Sequence, residues 1–227
     1  MSRRNKLAKF AELSKMPFVF QCFSFEDALL YDSEDQPVDF KNKWAEKVFK
    51  NDHPITLELA CGRGEYSLAL AAMYPERNFI GIDIKGARLW RGGKNAIEQG
   101  LTNIAFVRCR IELLRKFFGS QEISEIWITF PDPFHGKESR RLTSPNFLKS
   151  YSEVLKKDAL CHLKTDNRPL YEYSLESLAD YKAEVIYQND DIYSQALHLP
   201  ELAFKTYYEK QHLENQLTIK YVQFKLN

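Results

Sequence analysis

ITLELACGRGEYSLALAAMY, residues 55–74, decides the fold. ITLELA (55–60) is a short, largely apolar run bounded by turn residues, and it reads as a buried strand. Gly62 and Gly64 then break the chain, and YSLALAAMY carries a helical pattern. Strand, glycine turn and helix in that order open a βαβ unit.

The alternation continues downstream. NFIGIDI (78–84), NIAFVRC (103–109), EIWITF (125–130) and ALCHLKT (159–165) read as strands, with a helix-like ARLWRGGKNAIEQ after the first of them. SPNFLKSYSEVLKK (144–157) has a Ser at its start and a Pro just inside, the usual opening of a helix. Another helix is expected from about Leu170 to Asp180, then strands at AEVIYQ (183–188) and LTIKYVQFKL (217–226). Strands spaced by helices predict right-handed crossovers and a mostly parallel sheet with helices on both faces. No linker-like stretch or repeat divides residues 1–227, so a single domain is expected: an irregular N-terminal segment (1–50) on the rim and a core over 51–227.

Composition is that of an ordinary globular chain: 44% hydrophobic and 28% charged over 227 residues, enough to bury a core without disulfides or metals. Cys22, Cys61, Cys109 and Cys161 lie far apart and fit neither a zinc site nor a disulfide framework. No apolar run approaches the roughly 18 residues of a membrane span, and the basic N-terminus is not followed by a signal-peptide core. A cytoplasmic protein with no metal and no membrane partner is expected, either monomer or homodimer. A net charge of +1 gives no global signature of nucleic-acid binding. Two local clusters could meet phosphates or form plain solvated faces: Arg3, Arg4, Lys6, Lys9 and Lys15, and Lys137, Arg140, Arg141 and Lys149.

In such sheets ligands bind beyond the carboxyl ends of the strands. The first of these ends carries Glu58, Gly62 and Gly64, but Ser67 stands where a dinucleotide fingerprint needs its third glycine. An acid before the turn suits a ligand bearing an ammonium or sulfonium group better than a pyrophosphate. Asp83, at the end of the next strand, stands where an acid commonly takes ribose hydroxyls. Together these fit S-adenosylmethionine better than a nicotinamide dinucleotide. The plainer alternative is a tight turn in an α/β protein without a nucleoside ligand.

Phe130-Pro-Asp132-Pro-Phe134 is a stiff turn that would hold Asp132 in place. An isolated Asp there would more often cap the next segment, but Asp166 ends the fifth predicted strand and should face the same crevice. Thr206-Tyr-Tyr-Glu209 matches the S/T-x-x-E capping box and, taken alone, is a helix cap. His135 reads as a loop residue, and Trp44, Trp90 and Trp127 as packing residues.

At these residues the sequence resembles the bacterial single-subunit tRNA (guanine-N7)-methyltransferase family, from KNKW (41–44) to the C-terminus. The likeness is strongest over residues 128–155 and 162–177. Its pattern of E-x-G-x-G, F-[PS]-D-P, R-R-[LI], T-D-N/W and a late T-x-x-E occurs here in order. The resemblance implies a Rossmann-like class I S-adenosylmethionine-dependent methyltransferase acting on the variable loop of tRNA. It implies that Glu58, Gly62, Gly64 and Asp83 hold the cofactor. It also implies that Asp132 is catalytic and contacts substrate, with Lys137, Asp166 and Thr206 through Glu209. Three positions depart from the pattern. Phe134 replaces a Trp, the loop His135–Ser139 is shorter and lacks an Arg-His pair, and Arg110-Ile111 stands where the family often has Asp-Ala. Competing readings are a methyltransferase acting on another base or amine, a non-catalytic RNA-binding relative, and a dehydrogenase. Pro131 before Asp132 disfavours the first, the retained acids the second, and Ser67 with Glu58 the third.

Overall fold

A computed structural model of the chain describes the backbone of residues 3–226 and the side chains of 7–226. Ten strands form one sheet: β1 (Val19–Gln21), β2 (Leu30–Tyr31), β3 (Pro37–Val38), β4 (Ile55–Leu59), β5 (Asn78–Ile82), β6 (Ile104–Arg108), β7 (Ile123–Thr129), β8 (Leu155–Thr165), β9 (Glu184–Asn189) and β10 (Lys220–Lys225). Their order is β3-β2-β1-β6-β5-β4-β7-β8-β10-β9. The six strands from β1 to β8 in that order are parallel, and the two further strands at each edge are joined by antiparallel pairings. Strand order reverses between β4 and β7, which places the ligand crevice of a doubly wound sheet at their carboxyl ends.

The helices are α1 (Arg3–Leu13), α2 (Glu65–Met73), α3 (Gly86–Glu98), α4 (Leu114–Phe117), α5 (Pro145–Val154), α6 (Arg168–Tyr181) and α7 (Tyr207–Glu214). Alternation along each strand separates two cores. Ile80, Ile82, Ile126 and Ile128 pack with Leu148, Tyr151 and Leu178 on one face. Phe79, Phe106 and Trp127 pack with Tyr66, Leu70 and Leu89 on the other.

The segment expected to be irregular is more ordered than its sequence suggests. β1 extends the parallel sheet beside β6, pairing Val19 with Phe106 and Gln21 with Arg108. α1 lies against α3, buries Leu13, and places Glu12 where Trp90 Nε1 donates to it at 2.9 Å. Strands this short carry no readable periodicity, and their partner lies far along the chain. A second boundary also moves: the helix expected to run to residue 157 stops at Val154, and β8 begins at Leu155. Trp44 and Trp127 are buried packing residues, as expected, whereas Trp90 is half-buried beneath the Lys9 ammonium. Of the N-terminal basic cluster, the side chains of Arg3, Arg4 and Lys6 lie outside the described residues.

Candidate active site

The turn after β4 is held from beneath. Ala60 and Gly62 both have positive φ, as does Gly64 (+64°), the residue that caps α2. A Cβ on Gly64 would lie 2.5 Å from the Phe106 ring, so both the backbone and the space require glycine. Glu58 is 3% exposed and accepts from the Ser67 backbone N–H (2.8 Å), the Ser67 hydroxyl, and Thr129 Oγ1 (2.6 Å). One carboxyl group thus ties the end of β4 to the first turn of α2 and to the end of β7. Burial pushes it up to about 7, against the opposing pull of those hydrogen bonds. On the next strand, Asp83 accepts from the N–H groups of Gly62 (2.8 Å) and Lys85 (2.7 Å), fixing the turn from the side.

Above these turns opens a cleft of ≈ 560 Å³, within the range of small-molecule sites. Asp83, Arg110, Glu112 and Asp132 contribute polar groups, while Ile84, Ile111, Phe130 and Phe147 form apolar walls. The volume, the apolar walls and the acid at the end of β5 are compatible with a nucleoside ligand. Glu112 belongs to no motif of the sequence. It stands two residues beyond Arg110, whose guanidinium contacts it at 2.9 Å. Burial raises its carboxyl, but Arg110 holds it below its ordinary value. The family's Asp at position 110 is absent, yet a carboxylate remains on that wall.

The turn after β7 is different in construction. Phe130 has φ of 48° and Phe134 of 45°, both unusual for non-glycine residues and both flanking Asp132. Asp132 is exposed at the cleft and accepts from the Phe134 N–H at 3.0 Å. Arg141, read as part of a basic cluster, is instead buried. Its Nε donates to Pro133 O at 3.0 Å and its guanidinium lies 4.4 Å from the Tyr173 ring centroid, so it braces this turn. Lys137 and His135 are exposed on the loop beyond.

Asp166 leaves the end of β8, partly exposed, with its carboxylate 3.5 Å from His212 Nδ1 on α7. His212 in turn stacks on Phe130, centroids 5.9 Å apart, which joins the ends of β7 and β8. The start of α7 roofs the first turn. Thr206 accepts from the Glu209 N–H at 3.2 Å, the expected cap, and Glu65 accepts from the Tyr207 N–H at 2.7 Å. The Arg63 guanidinium lies 5.0 Å from the Tyr207 ring and that of Arg88 lies 5.7 Å from Tyr208. Thr206 therefore sits by the cofactor turn, but the Glu209 side chain does not complete the box. It is fully buried, 2.8 Å from Lys164 Nζ and accepting from the Tyr193 hydroxyl at 2.6 Å. Lys164 also donates to Leu202 O and Phe204 O, and burial lowers its pKa. Of the residues expected at the site, Asp83 and Asp132 line the cleft, whereas Glu58, Gly62, Gly64, Lys137, Asp166, Thr206 and Glu209 do not.

A doubly wound sheet with this glycine turn and a cleft beyond its strand ends has the architecture of a class I S-adenosylmethionine-dependent methyltransferase. Residues 52–222 match a family described as "Putative methyltransferase". A tRNA (guanine-N(7)-)-methyltransferase of Christiangramia forsetii is 46% identical over the full length of both chains. One of Bacteroides thetaiotaomicron is 43% identical, covering 98% of this chain and 86% of its own. Among solved structures, the 16S rRNA methyltransferase KamB shares the fold with a TM-score of 0.65 at 12% identity, covering 85% of this chain and 96% of its own. The chain belongs to the tRNA (guanine-N7)-methyltransferase family. Among the described residues no helix is long and apolar enough to cross a membrane.

Proposed function

We propose that the chain transfers the methyl group of S-adenosylmethionine to N7 of guanosine 46 in the tRNA variable loop, with Asp132 as the residue that orients the base. The observation that carries this reading is an exposed carboxylate, fixed in a braced turn, at the rim of a nucleoside-sized cleft. Guanine N7 has an in-plane lone pair and no proton, so catalysis consists of positioning and charge stabilisation. S-adenosylmethionine supplies an electrophilic methyl group on a positive sulfur. The N7 lone pair forms the new N–C bond as the C–S bond breaks, its electron pair stays on sulfur, and the positive charge passes to the purine. Asp132, accepting from N1–H and the exocyclic amine, aligns N7 and gains attraction as that charge grows. Adenine offers no such pair of donors.

In the same reading Gly62 and Gly64 let the backbone approach the cofactor, and Asp83 takes its ribose hydroxyls. Glu58, behind the turn, meets its positive end, and an arriving cation favours the ionised form of a carboxyl poised near neutrality. Asp166, Lys137 and Thr206 are assigned to the target nucleoside from outside the cleft lining. Glu209 serves it by holding the start of α7. The protein works in the cytoplasm as a monomer or homodimer, without a metal ion.

The test uses the purified protein, S-adenosylmethionine and unmodified tRNA transcripts carrying guanosine or adenosine at position 46. Nucleoside digestion and mass spectrometry should find 7-methylguanosine from the first transcript and none from the second. Equal yields from both would move the target to another position. A different methylated nucleoside would overturn the base assignment.

A further inference from the structure

The described surface holds a second feature that the methyl-transfer site does not use. The segment leaving β1 at the carboxyl edge of the sheet presents Phe23, 61% exposed, and Phe25, 51% exposed. Isolated exposed apolar side chains are common, but these two rings are each faced by an arginine. The Arg108 guanidinium lies 5.9 Å from the Phe23 centroid and 4.7 Å from that of Phe10. The Arg110 guanidinium lies 4.8 Å from Phe25. The segment is tied in place: Cys22 N donates to Arg108 O at 2.8 Å and Asp27 N to Ser24 Oγ at 3.0 Å, while Phe23 leans on Tyr31 at 5.7 Å. Arg108 also donates to Gln21 Oε1 at 3.2 Å. The rings are therefore held outward by their backbone.

This surface is continuous with the cleft. Arg110 lines the cleft wall, and Arg108 Nε donates to the carbonyl of Ile84, another wall residue, at 3.4 Å. We infer that Phe23 and Phe25, with Arg108 and Arg110, form a stacking platform for an unpaired nucleobase of the tRNA next to the target guanosine. The inference rests on tRNA being the substrate. A base inserted far enough to bring N7 to the methyl group drags its neighbours across the cleft rim, and their faces then lack stacking partners. Aromatic rings beside guanidinium planes are what unpaired bases stack on, whatever their identity. A chain with a net charge of +1 has little long-range attraction for RNA, so contacts of this kind must supply affinity locally.

The experiment compares wild type with the double variant Phe23→Ala, Phe25→Ala, a surface change that leaves both cores intact. Three quantities are read: affinity for unmodified tRNA transcript, affinity for S-adenosylmethionine, and mass in solution. The platform predicts a loss of tRNA affinity of roughly tenfold to a hundredfold, within the span of alanine substitutions at one stacked base. Cofactor affinity and mass should be unchanged. The salt dependence of tRNA binding should also be unchanged, since no phosphate contact is removed. Phe23→Trp with Phe25→Tyr should restore affinity. Unchanged tRNA affinity overturns the inference. A loss of cofactor affinity assigns the rings to the adenine of S-adenosylmethionine, and a change of mass assigns them to a second copy of the chain; either also overturns it. A wild-type protein that neither binds nor methylates tRNA overturns the underlying reading, before any variant is compared.

Discussion

The ends of β4 and β7 are neighbouring parallel strand ends at the same edge of the sheet. A carboxylate stands at each, Glu58 next to last in β4 and Asp132 in the turn after β7, yet they are built in opposite ways. Glu58 is enclosed, with three hydrogen-bond donors on it and its pKa raised to about 7. Asp132 is open, with one backbone N–H on it and a braced loop around it. An enclosed carboxylate holds three elements together and answers to a positive ligand. An open one is free to accept from a substrate whose own donors arrive already desolvated. On the proposed function, the first turn serves the cofactor and the second the base.

The contrast breaks most visibly at Asp132. Asp132→Asn should keep cofactor affinity and lower turnover by about 10²–10³, the cost of losing one preorganised charge-stabilising group. Turnover within a few-fold of wild type, measured at saturating tRNA, would remove the role. Next in size is the support for the roof. Lys164→Met leaves Glu209 buried without its cation and should lower stability by about 3–5 kcal/mol. Adding Glu209→Leu should recover most of that in thermal unfolding. A Lys164→Met protein as stable as wild type would show that the pair does not pin α7.

Glu58 gives a pH signature. In the unfolded chain its pKa is near 4.5 and in the folded protein about 7, so between these values the folded state binds more protons. Stability from this group is therefore greatest at acid pH and falls as pH rises toward 7, by about 3 kcal/mol in all. Glu58→Gln removes that fall while keeping an acceptor for Ser67. Denaturant unfolding of the cofactor-free proteins at pH 5 and pH 8 should show a steeper loss for wild type than for the variant, and parallel curves would contradict the burial argument. The smallest effect concerns the brace. Arg141→Ala frees Pro133 O and should reduce turnover roughly tenfold with cofactor affinity unchanged, because a small displacement of a positioning group is costly. A loss confined to cofactor binding would place Arg141 with the first turn instead.

What the sequence made legible follows the same division. β4, its glycine turn and α2 are contiguous, so run length and punctuation suffice to find them. The Thr206 cap is legible because its partner lies three residues away. The stiffness of the Asp132 turn was readable from its prolines, whereas its brace was not, since Arg141 reaches back across a loop. Glu209 looked like a box residue facing a pocket, but its carboxylate turns inward to Lys164, a partner 45 residues away with no local signal. β1 was hidden for the same reason: three residues, paired with a strand that begins 85 positions later. Contacts set by topology, rather than by period or cap, are the ones a single sequence conceals.

The most direct test of the account replaces the target guanosine of the tRNA with 7-deazaguanosine. That base keeps N1–H and the exocyclic amine that Asp132 is assigned to recognise and lacks only the attacking lone pair. The account predicts that the substituted tRNA binds and inhibits as well as the natural transcript binds, and that mass spectrometry finds no methyl group transferred. A methylated product from the 7-deaza transcript, at any atom of that base, would contradict it.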